Sequence, residues 1–235
     1  MRLLLVGTLL ASLATPAFAD RVDARRPSEM PVTSVSRDAV RTKLAAQRAA
    51  NIARFHAYRT AGVYPSNIYT PGALNVWRDD DGHLCAAATI IDASGAHDLV
   101  QETSVANNFI RLADVTEGPL MDWIITSGLT QAELVTIQRP FMGVADPGSP
   151  QRPIVDARKK LAETARLAAK YKAIEAAIAK ATKASLDRAT DRLMANPVLA
   201  RAFLQGERVA QVDTPVIHRY PSTPVANHRF AQPPR

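Results

Sequence analysis

Between Ile154 and Ala195 the chain runs for 42 residues without a glycine or a proline. Alanine, lysine and arginine dominate the stretch. Such a segment has one favourable backbone conformation, because alanine is the best helix former and glycine and proline are the strongest helix breakers. Read as one continuous α-helix, it is about 60 Å long at about 1.5 Å per residue. Leu167, Tyr171, Ile174 and Ile178 recur at heptad-like spacing and form a short coiled-coil-like seam. The seam weakens at Ala181 and Ser185, then resumes displaced at Leu186 and Leu193. Asn196-Pro197 restarts a short helix that Gly206 ends, so residues 154–205 read as a long helix plus a short one. Ten basic and five acidic residues lie between Asp156 and Arg192. On a helical wheel the basic ones cover about two thirds of the circumference, broader than a phosphate-tracking stripe and typical of a solvated face.

The first residues, "MRLLLVGTLLASLATPAFAD", carry a basic Arg2, an apolar run from Leu3 to Leu13 and a small-x-small site at Ala17-Phe18-Ala19. This pattern reads as a Sec-type signal peptide, residues 1–19, cleaved after Ala19. The apolar run is shorter than the roughly 20 residues a spanning helix needs and is interrupted by Thr8, Ser12, Thr15 and Pro16. No later stretch is apolar enough to span a bilayer. The expected location is periplasmic or secreted. The chain has 29 Lys and Arg against 22 Asp and Glu, and loss of Arg2 with the leader leaves an excess of six. That mild basic balance permits contact with a membrane surface or another polyanion without requiring it. Nucleic acid is not expected, since Trp77, Trp123, Phe55, Phe109 and Tyr64 lack basic interleaving and read as core.

One cysteine, Cys85, makes an internal disulfide impossible, so an apolar core must carry the fold even in an oxidising compartment. Residues 20–36 read as a flexible arm. From Arg37 the spacing of Val40, Leu44, Ile52 and Phe55 predicts a helix, with Ser36 as its cap, Arg48 interrupting its apolar stripe and Gly62 ending it. Residues 63–78 read as an ordered loop across the core, with Leu74, Val76 and Trp77 suited to a short strand. "HLCAAATII" fits either a strand or a helix, and its three consecutive alanines decide for the helix, with Asp80 or Asp81 as cap and Gly95 as end. A short helix in "AHDLVQETSVAN", an extended or single-turn segment in "NFIRLADV", a helix that starts near Pro119 with Gly128 after its end, and a capping box at Thr130 and Glu133 follow. The fold class is therefore mainly α: a compact helical domain over 37–140, a linker over 141–153, the helices of 154–205 and a disordered tail over 206–235.

Cys85 and the nearby histidines His83 and His97 are the candidate catalytic groups. A nucleophilic thiol needs a base at its flank, yet His83 at i−2 points to a different side of a helix, and the local patterns of thiol peptidases are missing. A small buried side chain is the plainer reading of Cys85. Asp79 and Asp81 in "DDDG" are the metal candidates. An EF-hand register that puts Gly82 at position six places Trp77 at position one and Ala88 at position twelve, so it fails at both ends. A helix-capping turn explains these residues. His56, His83, His97, His218 and His228 include no pair at helical zinc spacing, and no metal or cofactor is expected.

With no catalytic signature, the leading expectation is an exported, non-enzymatic interaction or structural protein. Its partner surface, for a protein or a second copy, would lie on residues 154–195, centred on Leu167, Tyr171, Ile174 and Ile178. The alternatives are an enzyme with a cleft among Asn67, Asn75, Arg78, Asp79, His83 and Cys85, or an envelope or polyanion binder acting through the basic helix.

Overall fold

The computed structural model describes residues 34–146 and 153–206. The expected signal peptide, most of the expected arm and the tail beyond Gly206 lie outside these residues. The described chain is mainly helical, with the order α1 (Arg37–Ala61), β1 (Ala73–Leu74), α2 (Ala86–Ala93), α3 (His97–Ala106), a 3-10 turn (Leu112–Asp114), α4 (Pro119–Thr126), α5 (Gln131–Ile137), β2 (Phe141–Met142), α6 (Ala157–Lys180), α7 (Thr182–Met194) and α8 (Pro197–Gln205). No helix among the described residues is long and apolar enough to cross a membrane.

Helix α1 is the spine. Ser36 caps it by accepting the Ala39 amide at 3.3 Å, and Gly62 ends it at φ 66°. Its N-terminal half, through Val40 and Leu44, packs with Leu186, Leu193, Leu199 and Phe203 of α7 and α8. Its C-terminal half, through Phe55 and Tyr58, joins the larger core with Trp77, the α2 alanines, Ile110, Leu134 and Phe141.

Arg48, the break in the apolar stripe, lies where these two cores meet and is 1% exposed. Its guanidinium donates to both Glu133 carboxylate oxygens at 2.9 and 2.7 Å, to the Gly128 carbonyl at 3.2 Å and to the Ile178 carbonyl at 2.9 Å. Burial pushes the Glu133 carboxyl up, but the Arg48 hydrogen bonds, the Thr130 amide and the Arg48 charge outweigh it and hold the carboxyl below its usual range. Glu133 also completes the capping box of α5 with Thr130. Gly128 lets α4 end against α1. Its φ is 76°, and a Cβ there would stand 2.2 Å from the Leu44 carbonyl oxygen and 2.6 Å from the Arg48 nitrogen.

Three expectations need correction. The Gly- and Pro-free stretch is two helices, not one, parted at Ala181 with φ −85° and ψ 0°. Arg48 reaches the Ile178 carbonyl at this break, and the Thr182 hydroxyl bonds the Ala179 carbonyl at 2.8 Å. The displaced seam is thus the mark of a second helix that packs on the other half of α1. Next, the boundary at residue 140 is not found. Phe141 is fully buried, and β2 pairs antiparallel with β1, Leu74 opposite Phe141. Gly143 continues past Thr70, whose carbonyl oxygen would meet an added Cβ at 2.8 Å. The first residues of the expected linker therefore belong to the core, and residues 147–152 lie outside the described chain. Lastly, α2 starts later than expected. Cys85 is its N-cap, while Asp80 and Asp81 stand in the preceding turn.

Candidate functional site

Cys85 is 1% exposed, and its Sγ accepts the Ala88 amide at 3.4 Å. Burial pushes the thiol up to about 12, against the opposing pull of the Ala88 and Ala87 amides. Neither candidate base meets it. His83 pairs through Nδ1 with Asp79 at 3.1 Å, and His97 pairs through Nδ1 with Asp92 at 2.8 Å. A protonated, enclosed thiol without an imidazole partner is a poor nucleophile. This is the small buried side chain that the sequence favours.

The ligand atoms of Asp79, Asp81 and His83 lie within 4.8 Å of one another, beside a pocket of about 140 Å³ lined by Ser66, Ile68, Asp79, Asp80, Asp81, Pro153 and Val155. Asp79 is already committed, however. Its oxygens accept the amides of Ser66 at 2.9 Å, Asp81 at 3.1 Å and His83 at 2.8 Å, besides meeting the His83 ring. A carboxylate offers about four lone-pair sites, so these partners use its capacity. The "DDDG" turn is stapled by its own buried aspartate. Asn67 and Arg78 of the expected cleft are likewise engaged within the chain. Asn67 donates to the carbonyls of Thr70, Gly72 and Phe141 and holds the loop against β2. The Arg78 guanidinium reaches Gln101 at 3.0 Å. Asn75 has a buried Oδ1 without a hydrogen-bond partner among the described residues.

The seam residues are buried inside the chain. Leu167 and Tyr171 are fully buried, and Ile174 and Ile178 are each 4% exposed. The Tyr171 ring stands edge-on to Phe55 at 5.5 Å, Tyr58 at 5.6 Å and Tyr64 at 5.4 Å. The expected partner surface at Leu167, Tyr171, Ile174 and Ile178 is therefore a domain core. A helix so apolar on one face gains its stability by packing that face, and α1 supplies the partner.

An open groove lies elsewhere, where α7 runs beside α4 and α5. Its volume is about 920 Å³. Ala113, Ile124, Ile125, Leu129, Ala132, Val135 and Ala189 make its apolar lining, and Arg188 and Arg192 stand on the α7 side. Helix α7 sorts its charges. Asp187 and Asp191 turn to α1, where they accept Arg41 at 3.0 Å and Arg37 at 2.6 Å. The next residue of each pair is an arginine that faces the groove. Among the described residues Arg192 has only uncharged partners, the Gln131 Oε1 at 3.0 Å and the Met121 Sδ at 3.2 Å. The Arg188 side chain makes no ion pair or hydrogen bond among the described residues. Sequence reasoning missed this site. The available signal was the Asp-Arg pair repeated after four residues, which puts the two acids on one face and the two arginines on the next. Comparison with protein-family models, with curated proteins and with solved structures gives no match to this chain.

Proposed function

We propose that this chain is an exported, non-catalytic binding protein whose contact surface is the groove between α7 and the α4–α5 pair. The observation that carries the reading is the composition of that groove: an apolar floor edged by two arginines, with no carboxylate among the described residues of its lining. Binding sites are concave, mainly apolar and equipped with a few convergent polar groups. Export is supported by the basic, apolar and small-x-small order of residues 1–19. The enclosed, protonated state of Cys85 favours binding over thiol catalysis. On α6, Arg166 is held by Glu163 and Lys160 by Ser66 and the Tyr64 carbonyl, which takes both cations away from a polyanion track.

A photoreactive side chain placed at Ala132, inside the groove, tests the reading in the cell that makes the protein. It should trap a bound molecule, while the same group at the exposed Lys172 on α6 should trap none. Equal yields from the two positions, or none from Ala132, would overturn it.

A further inference from the structure

Resting on that reading, we infer that the groove takes a single-chain amphiphile with an anionic head, such as a long-chain carboxylate, its head group held by Arg188 and Arg192. The groove and such a head group are complementary in charge. The two guanidiniums belong to residues four apart on α7, whose Cβ atoms on a helix are about 6 Å apart. One carboxylate can engage both, and arginine is suited to such paired contacts. The acids that could neutralise them, Asp187 and Asp191, are already bonded to Arg41 and Arg37 on the other side of the helix.

The rest of the groove lining disfavours a polar occupant. Its remaining polar side chains are spent on their own chain. The Thr130 hydroxyl is engaged with Glu133, and the Thr136 hydroxyl donates to the Ala132 carbonyl at 2.8 Å. The Gln131 amide nitrogen donates to the carbonyls of Leu112 and Val115, both at 2.8 Å, and its oxygen accepts Arg192. An extended peptide would bring a row of backbone amides that find few acceptors here, and unsatisfied polar groups cost affinity. An alkyl chain brings none. Size agrees: about 920 Å³ lies within the roughly 300–1,000 Å³ range of small-ligand sites, and the twelve lining residues among those described fall short of the roughly 20 to 30 that a stable protein interface uses on each side.

The test uses the full chain and dodecanoate below its micellar concentration, with calorimetry for affinity and NMR for location. Dodecanoate should bind and shift the methyl resonances of Ile125 and Val135. Octanoate should bind at least tenfold more weakly, as should dodecanoate to Arg188→Glu, a change at an exposed side chain that has no ion pair or hydrogen bond among the described residues. Dodecyltrimethylammonium, with the same chain and the opposite charge, should bind at least tenfold more weakly than dodecanoate. Equal binding of the two head groups, an unchanged affinity in Arg188→Glu, or methyl shifts confined to another surface would overturn the inference. So would a lack of dodecanoate binding. If dodecanoate fails while the photoreactive group at Ala132 still traps a peptide or protein, the amphiphile is wrong and the groove remains the contact surface.

Discussion

The exchange Glu133→Gln isolates the charge that holds the two halves of the core together. It keeps the shape of the side chain and removes its negative charge, leaving Arg48 buried and positive. Arg48 retains the carbonyls of Gly128 and Ile178 but loses two bonds to a carboxylate. Hydrogen bonds to a charged group contribute about 1.5–3 kcal/mol each. Removing one partner of a buried pair costs about 3–5 kcal/mol. The glutamine oxygen can still accept one bond and serve the capping box, so the expected loss is about 3 kcal/mol. In a domain whose whole stability is about 5–15 kcal/mol, that is a large fraction. Urea unfolding followed by circular dichroism measures it. The pair Arg37–Asp191, with side chains 48% and 65% exposed, provides a contrast. Asp191→Asn should cost less than about 1 kcal/mol, because water screens an exposed pair. A cycle of Arg48→Met, Glu133→Gln and the double variant should show coupling of at least about 2 kcal/mol, since residues sharing one bonded network are not additive. A Glu133→Gln loss below about 1 kcal/mol, or additive singles, would refute the account of Arg48 as a buried cation that needs this carboxylate.

Four further outcomes can be checked. The Glu133 carboxyl titrates below its usual range in the folded chain, so its contribution is present above the unfolded pKa and is lost as pH falls through the folded one. Acid titration of stability should therefore show a steeper loss below about pH 4.5 in the native chain than in Glu133→Gln, and superimposable curves would contradict this. Gly128→Ala places a Cβ 2.2 Å from the Leu44 carbonyl at a φ of 76° and should cost at least about 3 kcal/mol, measured by urea unfolding. Cys85, with its thiol pushed up to about 12, should resist iodoacetamide at pH 8 and become reactive only as urea opens the chain, whereas rapid native labelling would show that the thiol is not enclosed. Leu167→Ala should cost about 2–5 kcal/mol, independent of protein concentration, because its side chain is buried within its own chain; a loss that diminished at high concentration would restore the seam as an association surface.

What could be read from the sequence follows the range of the interactions involved. Several helix ends were legible because they are set by neighbouring residues, although the start of α2 and the break at Ala181 were not. Ser36 and Gly62 bound α1, Thr130 and Glu133 open α5, and Pro197 and Gly206 bracket α8. The alanine run of α2 and the burial of Cys85 were legible for the same reason: propensity and size are local properties. What pairs with what was not. Arg48 looked like a flaw in an apolar stripe, since its four acceptors come from residues 80 to 130 positions away. The seam of α6 has the spacing of a coiled coil because any helix packed along one face does. Spacing cannot tell whether the partner is a second chain or α1.

The groove was hidden for a related reason. A count of charges on 154–195 treats α6 and α7 as one wheel, and on one wheel the basic residues spread over most of the circumference. The break at Ala181 makes that wheel physically meaningless. Taken alone, α7 has its acids on α1 and its arginines on the groove, and the apparent dispersion becomes segregation. The same break turns the apolar face of α7 away from the Tyr171 cluster and toward Val40 and Leu44. Buried Arg48 meets α6 at the Ile178 carbonyl, at the end of that helix, while its carboxylate partner Glu133 caps α5, one wall of the groove. The network that stabilises the fold therefore also fixes the helices between which the groove lies. Loss of the Arg48–Glu133 pair should loosen both together, so the methyl resonances of Ile125 and Val135 should broaden in Glu133→Gln under conditions where the chain remains folded. Sharp, unshifted methyl resonances in that variant would separate the groove from the buried pair and show that the α4–α5 wall stands without it.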